Sequence, residues 1–123
     1  MKDLTKAEEQ VMHTLWKLEK AFVKDVIEEF PEPKPAYNTV STIIRILEKK
    51  EFVSYKAFGK THQYFGMVSK EDYTKHTAGQ LVDNYFDGSF KNLVSFFVKD
   101  NDMTVKEMDE LMKVIEAKKQ TNG

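Results

Sequence analysis

The chain contains no cysteine. That absence excludes disulfides, thiolate nucleophiles and cysteine-ligated zinc together. No apolar run approaches the ~18 residues that a membrane-spanning helix requires. No Gly-rich phosphate loop or nucleophile motif occurs. Glu8, Glu9, Glu28 and Glu29 read as helix-surface charge, with nothing pairing them as acid and base. His13, His62 and His76 are scattered, without the spacing of a metal site. His13 also lies off the main apolar face and reads as a surface residue. No enzymatic activity, metal or cofactor is therefore expected. The opening MKDLTKAEEQ lacks the apolar core of a signal peptide, so a cytoplasmic protein is expected.

Net charge is also scarce, at −1 over 123 residues. For a nucleic-acid binder that total looks discouraging, but it averages over unlike segments. Residues 1–33 hold five Lys against eight Asp and Glu, for −3. Residues 34–70 hold seven Lys and Arg against two Glu, for +5. Residues 71–123 hold seven Lys against ten Asp and Glu, for −3. The positive charge is concentrated in the middle of the chain.

What is present is mostly helical periodicity. Thr5-Lys-Ala-Glu8 has the form of a capping box. Behind it Leu4, Ala7, Val11, Met12, Leu15, Trp16 and Leu18 recur at helical spacing, predicting a helix to about Lys17. A short second helix follows, with Val23, Val26, Ile27 and Phe30 on one face. It ends at Pro31, Pro33 and Pro35, the only prolines in the chain. YNTVSTIIRILEKK, residues 37–50, predicts a third helix. Residues 52–68, FVSYKAFGKTHQYFGMV, read as two strands around a tight Gly59-Lys60 turn. Tyr55, Phe58, Tyr64 and Phe65 alternate there with polar residues and are expected in the hairpin core. Ser69 caps a fourth helix, Asp87-Gly88-Ser89 breaks it before KNLVSFFV, and Thr104-Val-Lys-Glu107 caps the last.

Three helices and a hairpin in this order are the winged helix-turn-helix layout. Its third helix has two chemically distinct faces. At about 100° per residue, Val40, Ile43, Ile44 and Leu47 share one arc, while Asn38, Ser41, Thr42, Arg45 and Lys49 share the opposite one. The apolar arc must pack on the first two helices. The opposite arc is either a solvated helix face or a surface that reads a major groove. Asn pairs with adenine, Ser and Thr serve either base edge, and Arg or Lys further along meets phosphate. Lys56 and Lys60 flank the wing turn, where the neighbouring DNA backbone would lie.

LTKAEEQVMHTLWKL, YNTVSTIIRILEKKEFV, the GKTHQYF wing and NYFDGSFKNLVSFF together resemble the penicillinase-repressor family, called BlaI/MecI/CopY, from about Leu4 to Ile115. The resemblance implies a mainly α fold with a small β-hairpin. A winged-helix DNA-binding domain over residues 1–69 would precede a helical dimerisation domain over residues 70–123. It places Tyr37, Asn38, Thr39 and Thr42 at the DNA-facing start of the recognition helix, with Arg45 and Lys60 on phosphate. It implies a homodimeric repressor on a palindromic operator. The alternative is a winged-helix protein-interaction module that does not read DNA.

The C-terminal half carries Leu81, Val82, Tyr85 and Phe86, then Phe90, Leu93, Val94, Phe96 and Phe97, with Leu111 and Ile115 on the last helix. Burying a large apolar side chain is worth roughly 1.5–3 kcal/mol, and so short a segment has little with which to cover these. Two solutions are open: a second copy covers them, or the helices fold back on their own chain. The resemblance favours the homodimer. Copper-responsive relatives carry a C-terminal cysteine cluster, which this chain lacks. Antibiotic-responsive relatives are relieved when a membrane sensor protease acts and the dimerisation helix is cut at an Asn-Phe bond. The matching place here reads Ser95-Phe96-Phe97.

Overall fold

A computed structural model describes residues 1–100 and 102–122, with side chains to Lys118. The elements are α1 (Lys6–Leu18), β1 (Lys20–Ala21), α2 (Val23–Glu28), α3 (Tyr37–Lys49), β2 (Val53–Phe58), β3 (Thr61–Gly66), α4 (Lys70–Tyr85), α5 (Phe90–Lys99) and α6 (Val105–Asn122). They divide into two compact units, Met1–His76 and Thr77–Gly123, so the division falls within α4.

In the N-terminal unit three helices pack on a small antiparallel sheet, the winged-helix architecture. Thr5 starts α1: its Oγ1 accepts from the Glu8 N–H, and Glu8 Oε1 accepts from the Thr5 N–H at 3.1 Å. Val11, Met12 and Leu15 then face inward and meet Val26 of α2 and Val40, Ile44 and Leu47 of α3. Phe52, fully buried, closes the base of this core. The Trp16 indole N–H donates to the Val68 carbonyl at 2.9 Å, tying α1 to the end of the hairpin. Tyr73 of α4 stacks near both Trp16 and Phe52, which explains why the first turns of α4 belong to this unit.

The strand order is β1-β3-β2. The two-residue β1, which sequence periodicity does not reveal, pairs Lys20 with Phe65 and Ala21 with Tyr64. β2 and β3 pair as a hairpin from Val53↔Gly66 to Phe58↔Thr61. Gly59 at the tip has φ +63°, which a side chain would strain. The expectation that all four hairpin aromatics are core needs correction. Tyr64 is buried and Phe65 half-buried, but Tyr55 is 39% and Phe58 47% exposed. Burial falls along β2 from Val53 towards the turn, because β2 is an edge strand whose far end no helix covers.

Glu8 also departs from the sequence reading. Its carboxylate is buried and accepts from Lys50 Nζ at 2.6 Å. Burial alone would raise its pKa. The Lys50 ammonium and the Thr5 N–H and hydroxyl outweigh that and hold it below the ordinary glutamate value.

The C-terminal unit begins within α4, which passes into α5 through a tight turn. Gly88 takes φ +74° before Ser89, whose Oγ accepts from the Asn92 N–H and caps α5. Phe86 meets Phe96 edge-on at 5.6 Å. Thr104 and Glu107 form a second reciprocal cap at the start of α6. Yet no residue of α5 is buried.

Candidate nucleic-acid interface

Helix α3 enters directly from the proline-rich loop, and Ala36 offers it no side-chain cap. Its inner face is formed by Val40, Ile44 and Leu47, all fully buried, with Ile43 half-buried beside them. Asn38, Thr39, Thr42, Arg45 and Lys49 are exposed, and Ser41 is half-buried. Tyr37, at the start of the helix, is also exposed. Among the described residues no hydrogen bond or ion pair within the chain engages the side chains of Asn38, Thr39, Ser41, Thr42 or Arg45. A row of donors and acceptors that folding leaves unengaged is available to an external surface.

The wing stands beside this row. Tyr37, Ser41 and Arg45 on α3, Lys60, Thr61, His62 and Tyr64 on the wing, and Phe22 to Asp25 together line a groove of ≈490 Å³. A second depression, of ≈310 Å³, is lined by Arg45, Glu48 and Lys49 with Tyr55, His62 and Tyr64. Arg45 and His62 thus belong to both walls. Thr39 lies elsewhere, on an apolar cleft of ≈370 Å³ with Phe30 and the three prolines. Lys56 is on neither groove: pairing with Gln63, it alternates to the opposite sheet face from Tyr55 and Tyr64. Its ammonium sits 5.4 Å from the Phe58 ring centroid. The cations that line these two grooves are therefore Arg45, Lys49 and Lys60, with Lys24 from the start of α2.

Tyr64 anchors the meeting of helix and wing. Burial pushes its hydroxyl pKa up and the nearby Glu48 charge adds to this, while Arg45 opposes it. It stays a neutral phenol at physiological pH. His62 is the residue that the sequence did not bring forward. Its ring stacks on Tyr55 at 4.0 Å with planes 7° apart. The signal was present in the period-2 alternation, which sets His62 on the sheet face that carries Tyr64.

In the C-terminal unit Tyr85 is 76% and Phe90 63% exposed, and Leu81, Phe96, Phe97 and Ile115 are exposed too. Phe86, Leu93, Val94 and Leu111 are half-buried. Val82 differs: at 1% exposure it is already covered within the single chain, so it offers no surface to a second copy. Among the described residues no cluster of acidic or His side chains could hold a metal, and no helix is long and apolar enough to cross a membrane.

Comparison with known proteins shows the family of the chain. The family described as penicillinase repressor matches residues 4–117. The methicillin resistance regulatory protein MecI of Staphylococcus aureus (strain N315) is 30% identical over 117 residues, covering 94% of this chain and 95% of that one. The penicillinase repressor of Bacillus licheniformis is 22% identical over 117 residues, covering 94% and 91%. A solved chain described as the CopR repressor structure is 29% identical, with a TM-score of 0.46, covering 55% of this chain and 100% of that one. With nearly its whole length matched, the chain belongs to the penicillinase repressor (BlaI/MecI) family of DNA-binding transcriptional repressors.

Proposed function

We propose that this protein represses transcription as a homodimer on a two-fold symmetric operator. The observation that carries this reading is the unengaged polar row of α3 beside the cationic groove of the wing. Asn38, Ser41 and Thr42 read base edges from the major groove, with Tyr37 and Thr39 flanking them. Arg45, Lys49 and Lys60 neutralise phosphates and fix register, and Lys56 contributes at longer range.

The dimer follows from α5. A ten-residue helix with large exposed or half-exposed aliphatic and aromatic groups, none of them fully buried, leaves most of its apolar surface uncovered among the described residues. A second copy covers Leu81, Tyr85, Phe86, Phe90, Leu93, Val94 and Phe97, with Leu111 and Ile115 closing the edge. Two-fold symmetry then repeats the recognition helix on the operator, and engagement of the second half-site becomes intramolecular, raising affinity without added charge. Relief of repression fits cleavage near Phe96 and Phe97 on that same helix, by or downstream of a membrane sensor protease, because a cut there destroys the interface.

A mobility-shift titration with DNA from upstream of the protein's own gene tests this. Arg45→Ala and Lys60→Ala weaken binding on every sequence, each lowering the salt slope by about two, one for the phosphate left unneutralised by each protomer. Asn38→Ala and Thr42→Ala instead change the preferred sequence, by about 1–3 kcal/mol per base pair misread. No shift at low salt, or four variants indistinguishable from wild type, would favour a winged-helix protein-interaction module instead.

A further inference from the structure

His62 stands among the cations of the groove between α3 and the wing, yet it is an imidazole. It lines both depressions between α3 and the wing, and Arg45 is its neighbour on each. Its ring is held flat against Tyr55, 4.0 Å between centroids, which fixes its plane without using its nitrogens. Among the described residues no hydrogen bond or ion pair engages those nitrogens. An oriented ring with two unengaged nitrogens in a cationic groove is suited to an anion.

We propose that His62 meets the DNA backbone as an imidazolium, so that operator binding takes up a proton and strengthens as pH falls. The inference rests on the DNA-binding function proposed above. Histidine is the side chain whose charge ordinarily changes between pH 5 and 8. The charged groups facing it are Arg45, Glu48 and Lys49 from α3, Lys60 from the wing, and Lys24 and Asp25 from the start of α2; Tyr37, Tyr55 and Tyr64 complete the titratable set. Four cations against two carboxylates leave this groove short of negative charge in the free protein. Backbone phosphates laid along it reverse that balance. The proton is therefore held more tightly in the complex than in the free repressor. By linkage, affinity rises on acidification.

The test is fluorescence anisotropy of the full chain with labelled upstream DNA, at constant ionic strength, from pH 5.5 to 8.5. The expected result is binding about three- to tenfold tighter at the acid end for a dimer that gains two surface charge pairs. His62→Phe keeps a ring to stack on Tyr55 and loses this dependence. His62→Lys binds with a flat profile because its charge is permanent over the range. His13→Gln and His76→Gln keep the wild-type slope; His76 is the needed control, since it pairs with Asp3 at 3.0 Å. Circular dichroism of each variant at both pH extremes separates weakened DNA binding from unfolding. Wild-type binding that is tight but flat with pH overturns the proposal and leaves the DNA-binding function intact. So does a His62→Phe variant that retains the slope. No binding at any pH overturns both.

Discussion

Phenylalanine has opposite fates in the two halves of this chain. Phe52, in the N-terminal unit, is fully buried beneath α1 and α3. Phe90, Phe96 and Phe97, in the C-terminal unit, lie on a helix with no buried residue. The difference is one of closure. Three helices and a sheet enclose an interior, so side chains of the N-terminal unit meet partners on several sides. The C-terminal helices expose their apolar groups, and stability for such a unit depends on what covers it. In the proposed homodimer association and folding are coupled, and that coupling would give the repressor a point of control outside its winged helix.

Substituting the same residue type in each half breaks this comparison most forcefully. Phe52→Ala is expected to cost about 3–5 kcal/mol, enough to unfold much of the winged helix, with a melting temperature that does not vary with protein concentration. Phe97→Asp is expected to leave that unit folded and to weaken the dimer by about 100-fold or more, because two-fold symmetry places the substitution in the interface twice. Calorimetry over a 100-fold concentration range with light scattering reads both. A Phe97→Asp protein that remains a folded dimer would remove this helix from the interface.

The same contrast governs how much could be read from sequence. The core of the N-terminal unit was legible because Val40, Ile44 and Leu47 follow the helical period and bury as that period requires. So was the polar row opposite them. β1 was not, because two residues are too few to show a period and the strand exists only through its pairing with β3. Glu8 was misleading for a related reason: its capping role is local in sequence, but its burial depends on Lys50, 42 residues away. Tyr55 and Phe58 look like core by type, yet burial along an edge strand is decided by which helix reaches it. Lys56 and Lys60 flank one turn, yet Lys60 lines the groove while strand alternation turns Lys56 to the other face. In the C-terminal half, sequence identified the apolar residues but not that Val82 alone among the expected interface residues is already enclosed.

The Glu8–Lys50 pair sharpens the comparison at a smaller magnitude, since it is a polar lock of the closed unit. Lys50→Met leaves a buried carboxylate without its cation and is expected to cost about 1–3 kcal/mol near neutral pH. Because the folded carboxyl titrates below its ordinary value, the wild-type pair stabilises fully above about pH 4.3. Its contribution is lost as pH falls through the lower folded value. The difference between wild type and Lys50→Met should therefore shrink on acidification. Urea melts at pH 7 and pH 3.5 measure it, and a difference that widens in acid would contradict the assignment.

The smallest expected effect compares two nearly identical devices. Thr5 with Glu8 and Thr104 with Glu107 each form a reciprocal cap with bonds of 3.1–3.2 Å. An exposed cap replaced by alanine costs about 1 kcal/mol, and Thr104→Ala should show about that value, confined to α6. Thr5→Ala should cost more, because the Thr5 hydroxyl also steadies the buried carboxylate that holds Lys50 against α1. A double-mutant cycle of Thr5→Ala with Lys50→Met reads the excess as coupling. Coupling indistinguishable from zero would mean the two caps are equivalent. The closed half would then differ from the open one in its apolar burial but not in how its polar groups are joined.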